Sequence, residues 1–304
     1  MQIYLPIANM SVNAFAMVLL GGGVGMLSGM FGVGGGFLTT PLLIFYGIPP
    51  AVAAASAATQ VAGASVSGFL AHLERDGVDL QMGGLLAVGG VFGSIIGVAI
   101  FEVLSQYGQI DTVISILYVL LLGSIGGLMA RDAWVDLVAS RAGDGPQPKR
   151  RHHHPLVASL PFRWRFYKSA IYVSPLAPLI LGILTGVMTV LLGVGGGFIM
   201  VPAMIYLLGM STRVVVGTSL LQILLVTAFT TMVHSLTTHA VDIVLAGLLL
   251  IGGVFGAQIG TRIATRLQPQ KLRMILAVIV LAVAVRMLLG LGLRPADLYT
   301  ADLL

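Results

Sequence analysis

Long apolar stretches separated by short polar connections follow one another along the chain, from near Val12 to near Gly292. A helix needs about 20 mainly apolar residues to cross a bilayer, and several of these stretches are long enough. The pattern therefore predicts an all-α polytopic membrane protein. Because the hydrophobicity continues long after the first stretch, we do not expect a cleaved secretion signal.

The pattern occurs twice. The segment GVGGGF at 32–37 recurs at 193–198, an offset of 161 residues, and a proline follows each copy at the same distance. Later matches keep the same order at offsets of 162 and 163, namely Gln60 with Gln222, His72 with His234, Asp79 with Asp242, and GGVFG at Gly89 with GGVFG at Gly252. Ordered matches over this length indicate an internal duplication.

Each copy contains an apolar stretch, the Gly-rich break, a short apolar stretch ending near Tyr46 or Leu208, and three longer apolar segments. We therefore predict a Gly-broken helical pair plus three transmembrane helices in each repeat. The predicted organisation is a first transmembrane repeat at 1–130, a basic linker at 131–169 and a second transmembrane repeat at 170–304.

Composition supports a membrane environment. Hydrophobic residues make up 57% of the chain and charged residues 9%, and the mean hydropathy is +1.01, which leaves too few polar groups to cover a soluble globule. The absence of cysteine excludes disulfides and thiolate chemistry. A pI near 9.7 could suggest nucleic acid, but half of the sixteen Lys and Arg lie between Arg131 and Lys168. We expect no nucleic-acid partner.

That clustering predicts orientation, because basic loops stay in the cytoplasm. The linker should be cytoplasmic, and the uncharged N-terminal tail and acidic loop at 102–111 should be periplasmic, as should both termini. The counterpart of that acidic loop, at 261–273, is basic. The two repeats should therefore have inverted topology.

The Gly-rich breaks, Gly34–Gly36 and Gly195–Gly197, are candidate anion-binding segments. Nonhelical backbone at membrane depth persists only inside protein or beside water. Glycine lets the backbone approach a ligand, and the short helix that follows each break presents free N–H groups. The alternative is that these glycines serve only close packing or a turn. The glycine spacing does not fit a dinucleotide-binding fingerprint.

The next helix in each repeat adds polar side chains. These candidate substrate ligands are Ser56, Thr59 and Gln60 in the first repeat and Thr218, Ser219 and Gln222 in the second. Their spacing places them on one helix face, with the two glutamines as the favoured donors. Alternatively, they only bond neighbouring helices. Ser28 and Thr189 are weaker candidates, since a hydroxyl can bond its own helix backbone.

Three further residues are candidates for coupling or gating. His72 and His234 correspond, and a histidine can change charge near neutral pH; the alternative is an ordinary interfacial role. Arg286 lies inside an apolar run, where charge is usually functional, although its side chain could reach the interface. The triple His152–His154 lies in the linker without carboxylates at fixed spacing, so we predict no metal site.

The doubled motif in GMLSGMFGVGGGFLTTPLL (25–43) and GVMTVLLGVGGGFIMVPAM (186–204), each followed by a Ser/Thr and Gln segment, resembles the sulfite exporter TauE/SafE family. The resemblance covers nearly the whole chain. It implies a permease of the bacterial inner membrane for sulfite or organosulfonates such as sulfoacetate. The linker is longer than the resemblance would lead us to expect.

The expected function is export of a small anion without a cofactor. The sequence has no Walker motif, and an anion that leaves an inside-negative cell moves downhill electrically. The alternatives are an anion channel, a permease for another small molecule, or a membrane-embedded enzyme, for which no paired carboxylates or nucleophile with its base are visible. The sequence leaves open an oligomer of identical chains.

Overall fold

Ten α-helices and two short β-hairpins make up the described part of the computed structural model, which covers residues 2–31, 34–141, 164–169, 171–264 and 269–292. Gly32, Val33, most of the predicted linker with His152–His154, and the C-terminal residues 293–304 lie outside it. The helices agree with the predicted all-α polytopic class. The hairpins are an addition that the apolar pattern did not predict.

The first half begins with an antiparallel hairpin and continues with five helices. The strands are β1 (Gln2–Leu5) and β2 (Met10–Asn13), and the helices are α1 (Ala14–Phe31), α2 (Gly36–Phe45), α3 (Pro50–Glu74), α4 (Leu80–Gln106) and α5 (Ile110–Arg141). Pro50 occupies the first turn of α3, where a missing N–H costs no helical hydrogen bond.

The second half repeats this order. Its strands are β3 (Trp164–Phe166) and β4 (Ile171–Val173), and its helices are α6 (Leu176–Leu192), α7 (Gly197–Tyr206), α8 (Thr212–Leu236), α9 (Ile243–Ala264) and α10 (Pro269–Gly292). The range predicted as linker, 131–169, therefore contains the end of α5 and all of β3.

Five of the described helices are long and apolar enough to cross a membrane. They are α4, α5 up to Arg131, and the greater parts of α8, α9 and α10. The helices beside the Gly-rich breaks, namely α1, α2, α6 and α7, are apolar but shorter. This division follows the predicted distinction for nine of the ten described helices, and α3, predicted as one of the longer transmembrane helices, belongs to neither group.

Helix α1 packs against α9 through glycine on both sides, and the two helices run in the same direction. A methyl group at Gly25 would lie 2.3 Å from the carbonyl oxygen of Gly253, and one at Gly29 would lie 2.2 Å from that of Ala257. Such distances are possible only without a side chain, so backbone meets backbone here as in other small-residue interfaces of membrane helices.

The equivalent helices of the other copy pair in the same way. A methyl group at Gly93 of α4 would lie 2.1 Å from the carbonyl oxygen of Ile183 of α6, and one at Gly186 would lie 2.1 Å from that of Gly90. Because α1 corresponds to α6 and α9 to α4, each close pair joins one helix from each half. The two halves therefore pack against each other through both close helix pairs.

Contacts at two heights define the direction of α3 relative to its counterpart α8. Thr59, in the first half of α3, donates its hydroxyl to Thr231 in the second half of α8 at 3.3 Å. A methyl group at Gly68, in the second half of α3, would lie 3.1 Å from the side chain of Leu220 in the first half of α8. These equivalent helices thus pack in opposite directions.

Helix α2 returns toward the point where α1 begins. The backbone N–H of Asn13, just before α1, donates to the hydroxyl of Tyr46, just after α2, at 3.4 Å. The break between α1 and α2 therefore lies at the far end of a helical hairpin, next to the central apolar cluster that contains Phe37, Tyr118 and Phe198.

Candidate functional site

The Gly-rich breaks contain consecutive residues in the left-handed region of backbone space. The φ angles are +82° and +59° at Gly34 and Gly35, and +73° and +75° at Gly195 and Gly196. Glycine adopts such angles without steric cost, whereas a side chain would be strained. This requirement explains why glycine occupies the predicted break positions. The helices α2 and α7 begin directly after these left-handed residues.

The two breaks meet each other between the halves. A methyl group at Gly36 would lie 2.5 Å from the carbonyl oxygen of Gly193, so the two backbones are in direct contact. The next residues, Phe37 and Phe198, are buried and stack with ring centroids 4.4 Å apart and planes at 5°. The N-terminal ends of both short helices therefore lie at the same central place.

The carbonyl of Leu192, the last residue of α6, receives two side-chain donors from the first half. Thr40 donates to it at 3.0 Å, and the buried hydroxyl of Tyr118 also donates to it. Carbonyls at a helix end have no intrahelical partner, so these bonds satisfy one of them inside the apolar core. They fix the second break against the first repeat.

Gln60 lies beside the first break and is hydrogen-bonded there. Its side chain is buried, and its Oε1 accepts from the Thr39 hydroxyl of α2 at 2.9 Å. Its Nε2 points toward α9, since a methyl group at Gly253 would lie 2.8 Å from that nitrogen. The structure therefore brings this predicted residue to the break.

Gln222 lies beside the second break, and its hydrogen bonding differs from that of Gln60. A methyl group at Gly196 would lie 3.6 Å from Gln222 Nε2, and the side chain is fully buried. Neither its Oε1 nor its Nε2 has a hydrogen-bond partner among the described residues, where Ser65 Oγ is the other such buried atom. A buried polar group left unpaired costs about 1–3 kcal/mol, so it requires an explanation.

Ser56 and Thr218, predicted as ligands, hold backbone groups of the opposite repeat. Ser56 Oγ accepts from the backbone N–H of Asp242 at 3.1 Å, and Thr218 Oγ1 accepts from that of Asp79 at 2.9 Å. These two contacts are counterparts of each other. Both hydroxyls are therefore engaged at the starts of α9 and α4.

Sequence reasoning used Asp79 and Asp242 only as markers of the duplication, but both are buried helix caps. Asp79 also accepts the N–H and the hydroxyl of Ser169, next to β3, and Asp242 accepts the N–H of Ile7, between β1 and β2. An aspartate directly before an apolar run is an N-cap signal that could have revealed them.

The remaining hydroxyl candidates mainly bond helix backbone. Thr59 also donates to the Ala55 carbonyl, Ser219 to the Val216 carbonyl at 2.9 Å and Thr189 to the Thr185 carbonyl at 2.7 Å. Ser28 lies closer to the break, since a methyl group at Gly35 would be 3.2 Å from its Cβ.

The candidate coupling residues lie outside the contact between the breaks. His234 is buried, with Nε2 3.1 Å from the Val190 carbonyl oxygen and Nδ1 2.9 Å from the Thr238 hydroxyl. His72 is half-buried against α8 near Gly217. Arg286 is exposed and lies over the ring of Phe45, at the end of α2 opposite its break.

The arrangement offers N–H groups and an amide, without a charged side chain among the described residues of the two breaks. Helix N-termini carry partial positive charge, and those of α2 and α7 both lie at this place. Groups of three or more potential metal ligands do not occur in the part of the chain that the structure describes.

Comparison with known proteins gives a consistent result. Residues 17–287 match the profile of the sulfite exporter TauE/SafE family. A probable membrane transporter protein of Xylella fastidiosa is 29% identical over 281 residues, which is 91% of this chain and 95% of that protein. The probable membrane transporter protein YjnA of Bacillus subtilis is 28% identical over 278 residues, 90% of this chain and 99% of its own.

A plant protein matches a shorter region. The sulfite exporter TauE/SafE family protein 2 of Arabidopsis thaliana is 31% identical over 124 residues, which is 38% of this chain and 26% of the plant protein. No solved structure matches significantly.

Proposed function

Since this chain belongs to the sulfite exporter TauE/SafE family of membrane transporters, we propose that it is a secondary transporter that exports small anions across the bacterial inner membrane. The substrate site is the place between the repeats where the two Gly-rich breaks meet. The observation that carries this proposal is the contact of Gly36 with Gly193, which brings both short-helix N-termini together in the buried centre.

The repeats are inverted in this proposal. Its support is the opposite direction of the equivalent helices α3 and α8, which contact each other through Thr59 with Thr231 and Gly68 with Leu220. Broken helices at corresponding positions of inverted repeats are typical of secondary transporters with a site near the bilayer midplane. Rocking of one repeat against the other would then open the site to each side in turn.

The end of the molecule that carries β3 and β4 faces the cytoplasm. It contains Arg75, Arg165 and Lys168, whereas the opposite end contains Glu102 and Asp111. Cytoplasmic loops of membrane proteins carry the excess of basic residues. The linker is therefore cytoplasmic and both termini are periplasmic.

The substrate is sulfite or an organosulfonate such as sulfoacetate. The family description and the name of the Arabidopsis relative both specify sulfite export. A sulfite or sulfonate group presents several oxygens that accept hydrogen bonds, which suits backbone N–H donors and the buried side-chain amide of Gln222. The inside-negative membrane potential drives the exit of such an anion.

Reconstituted protein tests the proposal. Flux of radiolabelled sulfite, sulfoacetate and sulfate is measured in sealed proteoliposomes under an imposed potential, for the native chain and for Gln60→Ala combined with Gln222→Ala. Gln106→Ala, an exposed glutamine at the end of α4, is the matched control. We expect potential-sensitive flux in the native and control proteins and a large loss in the double variant.

Two outcomes count against the proposal. Native protein that moves none of these anions in either direction would reject an anion transporter for sulfur oxyanions. Flux above about 10⁶ per second, which exceeds the rate of microsecond-to-millisecond conformational cycling, would indicate a channel instead.

A further inference from the structure

The two repeats differ at one position that decides how their glutamines are bonded. Thr39, which donates to Gln60 Oε1 at 2.9 Å, corresponds through the offset of 161 to Met200. Methionine offers no hydroxyl donor, so Gln222 lacks the partner that Gln60 has. The duplication therefore preserves both amides but leaves one of them unsatisfied.

The unsatisfied amide lies at a helix N-terminus. Gly196 is the N-cap of α7, a helix of 10 residues, and a methyl group there would lie 3.6 Å from Gln222 Nε2. The side chain is fully buried, and neither of its polar atoms has a partner within the described ranges of the chain. A donor held in the core without a partner, next to the partial positive charge of a helix end, is complementary to an anion oxygen.

We propose that the anion site is asymmetric, with one oxyanion subsite at the N-terminus of α7 where Gln222 Nε2 donates to the ligand. Gln60 belongs to the scaffold, because Thr39 holds it in place. This inference rests on the proposed function and adds to it which repeat binds the anion. Met200 is the specificity-determining position, since it keeps Gln222 free.

Sulfite binding to the full chain in lipid nanodiscs tests the asymmetry. Loss of a hydrogen bond to a charged ligand weakens binding roughly 10- to 100-fold, so we expect that change for Gln222→Met and a change below about threefold for Gln60→Met. Met200→Thr, which gives Gln222 the partner found in the first repeat, should weaken binding as well. Thr39→Met leaves the subsite intact.

The melting temperature, Tm, distinguishes a glutamine that binds the ligand from one that only stabilises the fold. Gln222→Met removes an unpaired buried amide and replaces it by an apolar side chain of similar size, so it should raise Tm while it weakens sulfite binding. Gln60→Met breaks the bond with Thr39 and should lower Tm. If Gln222→Met instead lowers Tm and leaves binding intact, the subsite is refuted.

The outcomes separate the two proposals. Equal weakening by Gln60→Met and Gln222→Met in a protein that still transports sulfite would overturn the asymmetric subsite and leave the proposed function standing. A native chain that neither binds nor transports sulfite, sulfoacetate or sulfate would reject the proposed function, and the subsite with it.

Discussion

The ring of Phe37 lies flat on the ring of Phe198, with 4.4 Å between centroids and 5° between planes. The two residues are counterparts in the duplication, each directly after a Gly-rich break. Their stack joins the first turns of α2 and α7 where the two breaks meet.

The stack should couple the two residues energetically. Truncation of a buried phenylalanine to alanine costs about 3–5 kcal/mol, and an aromatic pair contributes about 0.5–1.5 kcal/mol beyond its buried area. A double-mutant cycle with Phe37→Ala and Phe198→Ala, measured by reversible unfolding in detergent, should yield a coupling energy in that range. The exposed pair Phe92 and Phe255, equivalent through an offset of 163, should show none.

The glycine contact between α1 and α9 predicts that two alanine substitutions on α1 differ in their effect on Tm. Gly25→Ala places a methyl group 2.3 Å from the Gly253 carbonyl oxygen, whereas Gly23→Ala on the same helix meets nothing within 4 Å. Overpacking costs about 1–3 kcal/mol, so Gly25→Ala should lower Tm. Gly23→Ala should leave Tm unchanged or raise it slightly, since alanine is the better helix former. Equal Tm values for the two variants would contradict the close packing.

Substitution of the two buried N-cap residues, Asp79 and Asp242, should lower the free energy of unfolding by unequal amounts. Removal of an N-cap costs about 0.5–2 kcal/mol. Asp79 also accepts two hydrogen bonds from Ser169, while Asp242 accepts one from Ile7. Asp79→Ala should therefore lower the free energy of unfolding more than Asp242→Ala. Glu102→Ala, at an exposed carboxylate, is the control and should change the free energy of unfolding little. If either aspartate variant behaves like this control, that aspartate does not stabilise its helix as an N-cap.

Much of the fold was predictable because helix breaks and apolar lengths are local properties of the chain. The repeated GVGGGF segments indicated where α1 and α6 end, and the following segments matched α2 to α5 and α7 to α10. The favoured glutamines lie beside the breaks because each falls about three turns into the helix that follows a short broken one. Neither inference required knowledge of distant contacts.

The features that the sequence did not predict depend on tertiary structure. The strand β3 lies in a charged segment interpreted as linker, and its short apolar and polar pattern carries no helix signal. The roles of Ser56 and Thr218 follow from contacts with Asp242 and Asp79 in the opposite repeat. The difference between Gln60 and Gln222 becomes visible only through the hydrogen bond that Thr39 donates to Gln60 and that Met200, at the equivalent position, cannot donate to Gln222.

Single-cysteine labelling provides a direct measurement of the inverted topology, because the chain has no cysteine of its own. Asn9 and Tyr107 are exposed at the end assigned to the periplasm, and Asp76 and Lys168 are exposed at the end assigned to the cytoplasm. In intact spheroplasts, a membrane-impermeant maleimide should label Asn9→Cys and Tyr107→Cys. It should reach Asp76→Cys and Lys168→Cys only after permeabilisation. Labelling of Asn9→Cys and Lys168→Cys from the same side would rule out inversion, because these residues lie in the equivalent hairpins of the two repeats.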